Sequence, residues 1–228
     1  MGLLTEGSPL SWEETKKYAD HVRKHGINQF LNIYKKLKDR TGDTLKWGDE
    51  VEYMLVTFDH ENKTARLNLD GITYLKCLQQ DEINNPDENT AIWRPEYGAY
   101  MLEGTPARPY GGSMAHFNVV EANMKIRREE IMKLLKAEDS PLSITSFPRL
   151  GCPGFTLPGY EPTLTEDGAS RSLYFPDQAI NNDHPRFSTL TRNIRSRRGG
   201  KIAINIPSKP KLLNLETFYI IVGVQYML

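Results

Sequence analysis

The chain has 228 residues, enough to bury a substantial core in one large domain or two small ones. It carries 29 basic and 29 acidic residues and no net charge, which argues against a general nucleic-acid or membrane-surface protein. Its two cysteines, Cys77 and Cys152, are too few for a disulfide scaffold and fit a reducing cytoplasm better than secretion.

The start, Met1-Gly2-Leu3-Leu4-Thr5-Glu6, lacks a secretory signal and has Glu6 where a myristoylation pattern wants Ser or Thr. Ser11-Trp12-Glu13-Glu14 is a capping box that opens a helix. Tyr18, Ala19, Val22, Phe30, Ile33 and Leu37 recur behind it at helical spacing, and Gly26 marks a break that would divide the helix. Lys35, Lys36, Lys38 and Arg40 suit its C-terminal end.

Residues 46–56, KWGDEVEYMLV, combine a strand-forming run with closely spaced acids. On a strand, Glu50, Glu52 and Met54 share one face, and Val51, Tyr53 and Leu55 share the other. Carboxylates two residues apart lie roughly 6.5 Å apart along a strand, close enough to converge on one cation or on two adjacent ones. The same pattern also fits an edge strand with a solvated acidic face. Asp59-His60-Glu61-Asn62-Lys63 is a polar turn, and Ala65, Leu67 and Leu69 alternate after it, so a β-hairpin is predicted. Residues 74–80 read as a short helix and 81–90 as a surface loop.

Residues 91–104 read as two short strands around Pro95 and Gly98 and bring two further acids, Glu96 and Glu103, among apolar neighbours. The loop that follows ends in Gly111-Gly112-Ser113, which lacks the Gly-Lys-Ser/Thr of a phosphate-binding loop and reads as a turn. A long helix is predicted over 113–137, with Phe117, Val120, Met124, Ile131 and Leu135 as its apolar stripe. Glu121 and Arg128 flank that stripe on one side; they suit a rim ion pair, or a charged helix edge facing a ligand. A strand is expected over 142–147, a tight turn over 149–155 around a structural Cys152, and a long loop over 157–178.

Residues 184–201 hold five arginines and one lysine with no acid. Guanidinium forks match phosphate and carboxylate oxygens, so an anionic ligand or an acidic patch elsewhere in the fold is expected. Residues 201–206 alternate as a strand. The texture changes at 208, where a short apolar segment begins that is well under the roughly 20 residues of a membrane span.

Several of these stretches together resemble the catalytic subunit of the eukaryotic glutamate–cysteine ligases. They are Gly7-Ser8-Pro9-Leu10-Ser11-Trp12-Glu13-Glu14, the acidic strand, Trp93-Arg94-Pro95-Glu96-Tyr97-Gly98, Glu103-Gly104-Thr105-Pro106, Pro109-Tyr110-Gly111-Gly112, Val120-Glu121-Ala122-Asn123-Met124, residues 144–154 and residues 184–198. The likeness runs in order over residues 1–207, and 208–228 stand apart as a divergent apolar tail, with the look of an alternative exon.

The resemblance implies an α+β fold: a curved antiparallel sheet, part of a glutamine-synthetase-like funnel, with flanking helices. It implies ATP, L-glutamate and L-cysteine as substrates, joined through a γ-glutamyl phosphate in the first step of glutathione synthesis, and a regulatory modifier subunit as partner. Neither nucleic acid nor membrane is expected. Glu50, Glu52, Glu96 and Glu103 stand where the family holds Mg2+ (or Mn2+). Arg127, Arg128, Arg186, Arg192 and Arg195 become candidates for the phosphates of ATP or the glutamate carboxylate. Family chains are about three times longer, so a second expectation is an inactive shortened form acting as an interaction module.

Overall fold

The computed structural model describes residues 7–162 and 167–199, with the backbone of two short strands beyond them. In chain order the elements are α1 (Trp12–Leu37), β1 (Lys46–Trp47), β2 (Val51–Asp59), β3 (Thr64–Asn68), α2 (Gly71–Asn84), β4 (Ala91–Pro95), β5 (Met101–Pro106), β6 (Tyr110–Gly111), α3 (Met114–Leu134), β7 (Asp139–Leu142), β8 (Thr156–Leu157), a 3-10 turn (Asp177–Ala179), α4 (Pro185–Arg198), β9 (Asn205–Pro207) and β10 (Tyr219–Ile221). The fold is α+β, a curled half-barrel sheet flanked by helices.

The main sheet runs β4-β5-β2-β3-β8, and β7 joins β2 beyond the end of β5. Pairing is antiparallel throughout except at β8, which lies parallel to β3. The alternation of β2 separates two environments. Tyr53, Leu55, Trp93 and Leu102 face one way and pack with Tyr74, Leu75 and Leu78 of α2 and Ile131 of α3. Val56, Leu67 and Met101 face the other way and pack beneath Phe147, Leu150, Phe155 and Ala179. The acids occupy the open end of that second face.

The expected hairpin is β2–β3, and the expected pair of strands around Pro95 and Gly98 is β4 and β5. The capping box is present, with Ser11 and Glu14 bonded reciprocally. Three expectations are corrected. The strand expected at 142–147 lies at Asp139–Leu142, where the chain pairs with β2. Gly26 does not divide α1, which is one helix of 26 residues. The helix forms because glycine in an exposed helix costs only about 1 kcal/mol relative to alanine, and twenty-five other positions support it. Glu121 and Arg128 form no pair with each other: Glu121 binds Lys125 at 2.6 Å, and Arg128 donates to the Pro141 carbonyl at 2.8 Å.

α1 stands apart from both cores. None of its residues is buried, and its apolar stripe is open, with Val22 and Phe30 each 65% exposed. It packs against α4. The α3 stripe is also only partly used: Phe117 is exposed, Ile131 is buried, and between them the fully buried side chain is Arg127. β9 pairs with β10, so residues 205–206 of the predicted 201–206 strand are paired. Residues 201–204, the first six residues, and the tail from 208 apart from the β10 backbone lie outside the described residues. No helix among the described residues is long and apolar enough to cross a membrane.

Candidate metal and anion site

β2 runs antiparallel to β5, and the register sets Glu52 directly opposite Glu103. β4 lies on the far side of β5 and sets Arg94 opposite the same Glu103. Cross-strand partners point to one face, so Glu103 sits between an acid and a base. Arg94 turns its fork onto Glu82 of α2 at 2.8–2.9 Å, which fixes its head away from the acids. Arg94 was not singled out in the sequence; its two-residue spacing from Glu96 on a strand was the available signal.

Glu96 follows the end of β4 and is joined to Glu103 by a side-chain hydrogen bond. The backbone around it is pinned from outside the sheet. The Ala99 amide donates to the Ala179 carbonyl, the Asn181 amide donates to Tyr97, and the Asn181 side chain donates to the Glu96 carbonyl at 3.0 Å. Glu96 and Glu103 are 2% and 4% exposed. Glu52 and Glu50 remain open to solvent.

Burial above all pushes the Glu96 carboxyl up to about 7, with its hydrogen bond to Glu103 and the charges of Glu52 and Glu103 adding and the Tyr97 amide opposing. Partial desolvation also raises Glu52, followed by the charges of Glu103 and Glu50. A proton shared by two buried carboxyls does here what a cation would do: it lets like charges stand together. The donor set is all oxygen, which suits Mg2+ or Mn2+ rather than a softer metal. Among the described residues no three His, Cys, Asp or Glu side chains stand as a ready-made metal shell. Glu52 and Glu50 form the solvent-exposed side of the cluster, and Glu96 and Glu103 its buried side.

The arginines divide. Arg127 is fully buried; it donates to the Gly104 carbonyl at 2.6 Å and to the Asp49 carboxylate, which also accepts from the Tyr110 hydroxyl at 3.0 Å. Its guanidinium therefore ties α3 to β5 and to the turn before β2, from behind the acid-bearing face. Arg128 is exposed on α3. The other three lie on α4. His184 caps that helix through its Nδ1, and Gly199 ends it in a left-handed conformation that favours glycine. Tyr97 anchors α4 beside the acids: its hydroxyl meets Thr191 at 2.8 Å, and its ring meets Phe187 edge-on.

Arg195, one turn beyond Thr191, donates to the Gly168 carbonyl at 3.0 Å, and its Nη1 is buried without a partner. Burial first, and then the charges of Arg171 and Arg192, hold Arg195 below the usual arginine range. A guanidinium in this state gains from a nearby anion. Arg192 lines a shallow cleft between α4 and the start of α1, with Trp12 and Leu10 opposite, and Arg186 is exposed in the first turn of α4.

Residues 2–209 match the family described as glutamate-cysteine ligase. The chain is 65% identical over 208 residues to the glutamate–cysteine ligase catalytic subunit of Homo sapiens, covering 91% of this chain and 32% of that protein. It is 63% identical over the same length to the catalytic subunit of Mus musculus, and 48% identical over 219 residues to the glutamate–cysteine ligase of Candida albicans, of which it covers 30%. The chain thus spans about a third of the length of the curated relatives it matches. On the family match and these identities together, the chain belongs to the glutamate–cysteine ligase family.

Proposed function

We propose that the chain serves ATP-dependent joining of the L-glutamate γ-carboxyl to the amine of L-cysteine, the first step of glutathione synthesis. Glu52, Glu96 and Glu103, with Glu50 at the entrance, hold Mg2+ or Mn2+. When bound, such a cation neutralises phosphate oxygens and eases transfer of the γ-phosphoryl group of ATP to the glutamate carboxylate, giving a γ-glutamyl phosphate that the amine attacks. The observation that carries this reading is the register of Glu52 against Glu103, with Glu96 hydrogen-bonded to Glu103 at the open end of one sheet face.

The chain's own groups supply position and charge. The cross-strand register of Glu52 and Glu103 and the hydrogen bond of Glu96 to Glu103 support a site ordered in part before any ligand arrives. Glu96 gives up its proton as a cation enters. Arg195 offers an unpartnered buried N–H, and Arg192, Arg186 and Arg128 are the further candidates for phosphate or α-carboxylate oxygens. The reading extends to a regulatory subunit as partner, since the human and mouse relatives are catalytic subunits by name. It also places the protein in the cytoplasm, where Cys77 and Cys152, both free, stay reduced.

The test combines Mn2+ binding, followed by electron paramagnetic resonance, with phosphate release from ATP in the presence of glutamate and cysteine. Mn2+ bound by the protein and lost in Glu103→Gln supports the metal assignment. Unchanged Mn2+ affinity in that variant overturns it. Phosphate release that ignores both amino acids, with Mn2+ binding intact, leaves the metal site and sinks the ligase reading.

A further inference from the structure

The chain has five histidines, and three of them are committed to local structure. His60 stacks on Phe58, His116 bonds the Ser113 hydroxyl at 2.7 Å, and His184 caps α4. The remaining two, His21 and His25, lie one turn apart on α1, both exposed, and their rings meet each other. Their ring centroids are 4.2 Å apart with planes inclined by 37°.

We propose that His21 and His25 form an open two-imidazole site for a late first-row divalent cation, with Cu2+ held most tightly. Residues at i and i+4 are separated by about 6 Å along the axis and lie nearly above one another, so both rings reach one ion without distorting the helix. Neutral imidazole suits Cu2+, Ni2+ and Zn2+, and affinity at such a site rises to a maximum at Cu2+. Two protein ligands leave the other positions of the ion to water or to a group from another molecule.

The helix itself keeps the pair accessible. His21 and His25 lie on the flank of α1 that borders the stripe of Tyr18, Val22, Phe30, Ile33 and Leu37, and both are exposed. Of the neighbouring charges, Arg23 pairs with Asp20 and Glu14 is spent on Ser11, while the ammonium groups of Lys17 and Lys24, having no acceptor atom, bind neither imidazole's metal. The site is also chemically distinct from the carboxylate cluster, since hard Mg2+ prefers oxygen and leaves imidazole free.

The test is a Cu2+ titration of the protein in excess Mg2+, read by calorimetry and by the nitrogen couplings in the electron paramagnetic resonance spectrum. One equivalent with two coordinated ring nitrogens is expected. His21→Ala and His25→Ala each turn a chelate into a single ligand and should weaken that site by about tenfold or more, while His60→Ala leaves it unchanged. Alanine is the strongest helix former, so both variants keep α1, which far-ultraviolet circular dichroism checks. Wild-type Cu2+ affinity in both single variants, or one coordinated nitrogen in the unaltered protein, overturns the proposal.

Discussion

Glu52 on β2 and Glu103 on β5 are direct cross-strand partners, one open to solvent and the other 4% exposed. Like charges directly opposite each other on a sheet are unfavourable, and burial sharpens the penalty. Glu103→Gln keeps the shape and removes one of the charges, so its cost in folding should be small. Divalent-cation affinity should fall by about tenfold or more, because an anionic oxygen is replaced by a neutral one. Parallel measurement of Mn2+ affinity and thermal stability checks this; a variant that loses stability and metal in proportion would make Glu103 a folding residue instead.

Arg127 gives a contrasting expectation. It is enclosed between Gly104 and Asp49, so its removal leaves the Gly104 carbonyl without this donor and the half-buried Asp49 carboxylate with the Tyr110 hydroxyl but no counter-charge. Arg127→Ala should destabilise the fold by about 3–5 kcal/mol, the usual cost of breaking a buried pair. Arg127→Lys should recover little, since one ammonium cannot reproduce a fork held on two acceptors in different directions. Denaturant unfolding of the two variants decides it, and a lysine variant as stable as the parent would refute the bridging role.

Asp139 is the acceptor of a second buried network. Thr57, Asn68 and Tyr74 all donate to its carboxylate, from β2, β3 and α2. Burial, and then the adjacent carboxylate, push the Tyr74 phenol up to about 12. Asp139→Ala leaves three donors without an acceptor and should cost about 2–4 kcal/mol, where a surface aspartate would cost almost nothing. A midpoint in urea unchanged from the parent would show that water or another group takes over.

α2 begins at a glycine for a steric reason. The Gly71 amide donates to the Ala99 carbonyl at 3.0 Å, and a Cβ at position 71 would meet that same carbonyl oxygen far inside contact distance. The obstacle is backbone, which cannot swing aside as a side chain can. Gly71→Ala should therefore cost about 1–3 kcal/mol by overpacking, despite the higher helix propensity of alanine. Thermal melts comparing Gly71→Ala with Gly26→Ala test the argument, since position 26 has open space around it and should gain stability.

What the sequence made legible follows from periodicity. The alternation over 51–55 was enough to put Glu52 and Tyr53 on opposite faces, and both faces exist as expected. Ser11 with Glu14 marked the start of α1 because a capping box is a local device. The meeting of Glu52 with Glu103 was not legible from alternation, because pairing over some fifty residues depends on register, which only the folded sheet sets. The strand expected over 142–147 lies instead at Asp139–Leu142, where Pro141 is tolerated at an edge position of the sheet. Arg127 was read by its charge as a ligand binder, although its spacing of three residues from Met124 and four from Ile131 fills the gap in the apolar stripe and places it on the buried side of α3.

Asp177 supplies a pH-dependent hold on the loop under Arg195. Its carboxylate accepts from the Ala169 amide at 2.6 Å, the Ser170 amide at 2.8 Å and the Ser170 hydroxyl. Burial acts to raise this carboxyl, but the three hydrogen bonds and the nearby Arg192 outweigh it and hold it below its ordinary 3.8. A carboxyl lowered in the folded state adds stability that is fully present above its unfolded value and disappears as pH falls through the folded one. Asp177→Asn should therefore loosen the loop at neutral pH and make no difference in strong acid. Hydrogen exchange at the Ala169 and Ser170 amides, followed from neutral pH into strong acid, should show a gap between parent and variant that is full above the ordinary aspartate range and narrows only below it. A gap that stayed constant over that range would mean that the carboxylate charge has no part in closing the loop, and that Asp177 acts only through its shape.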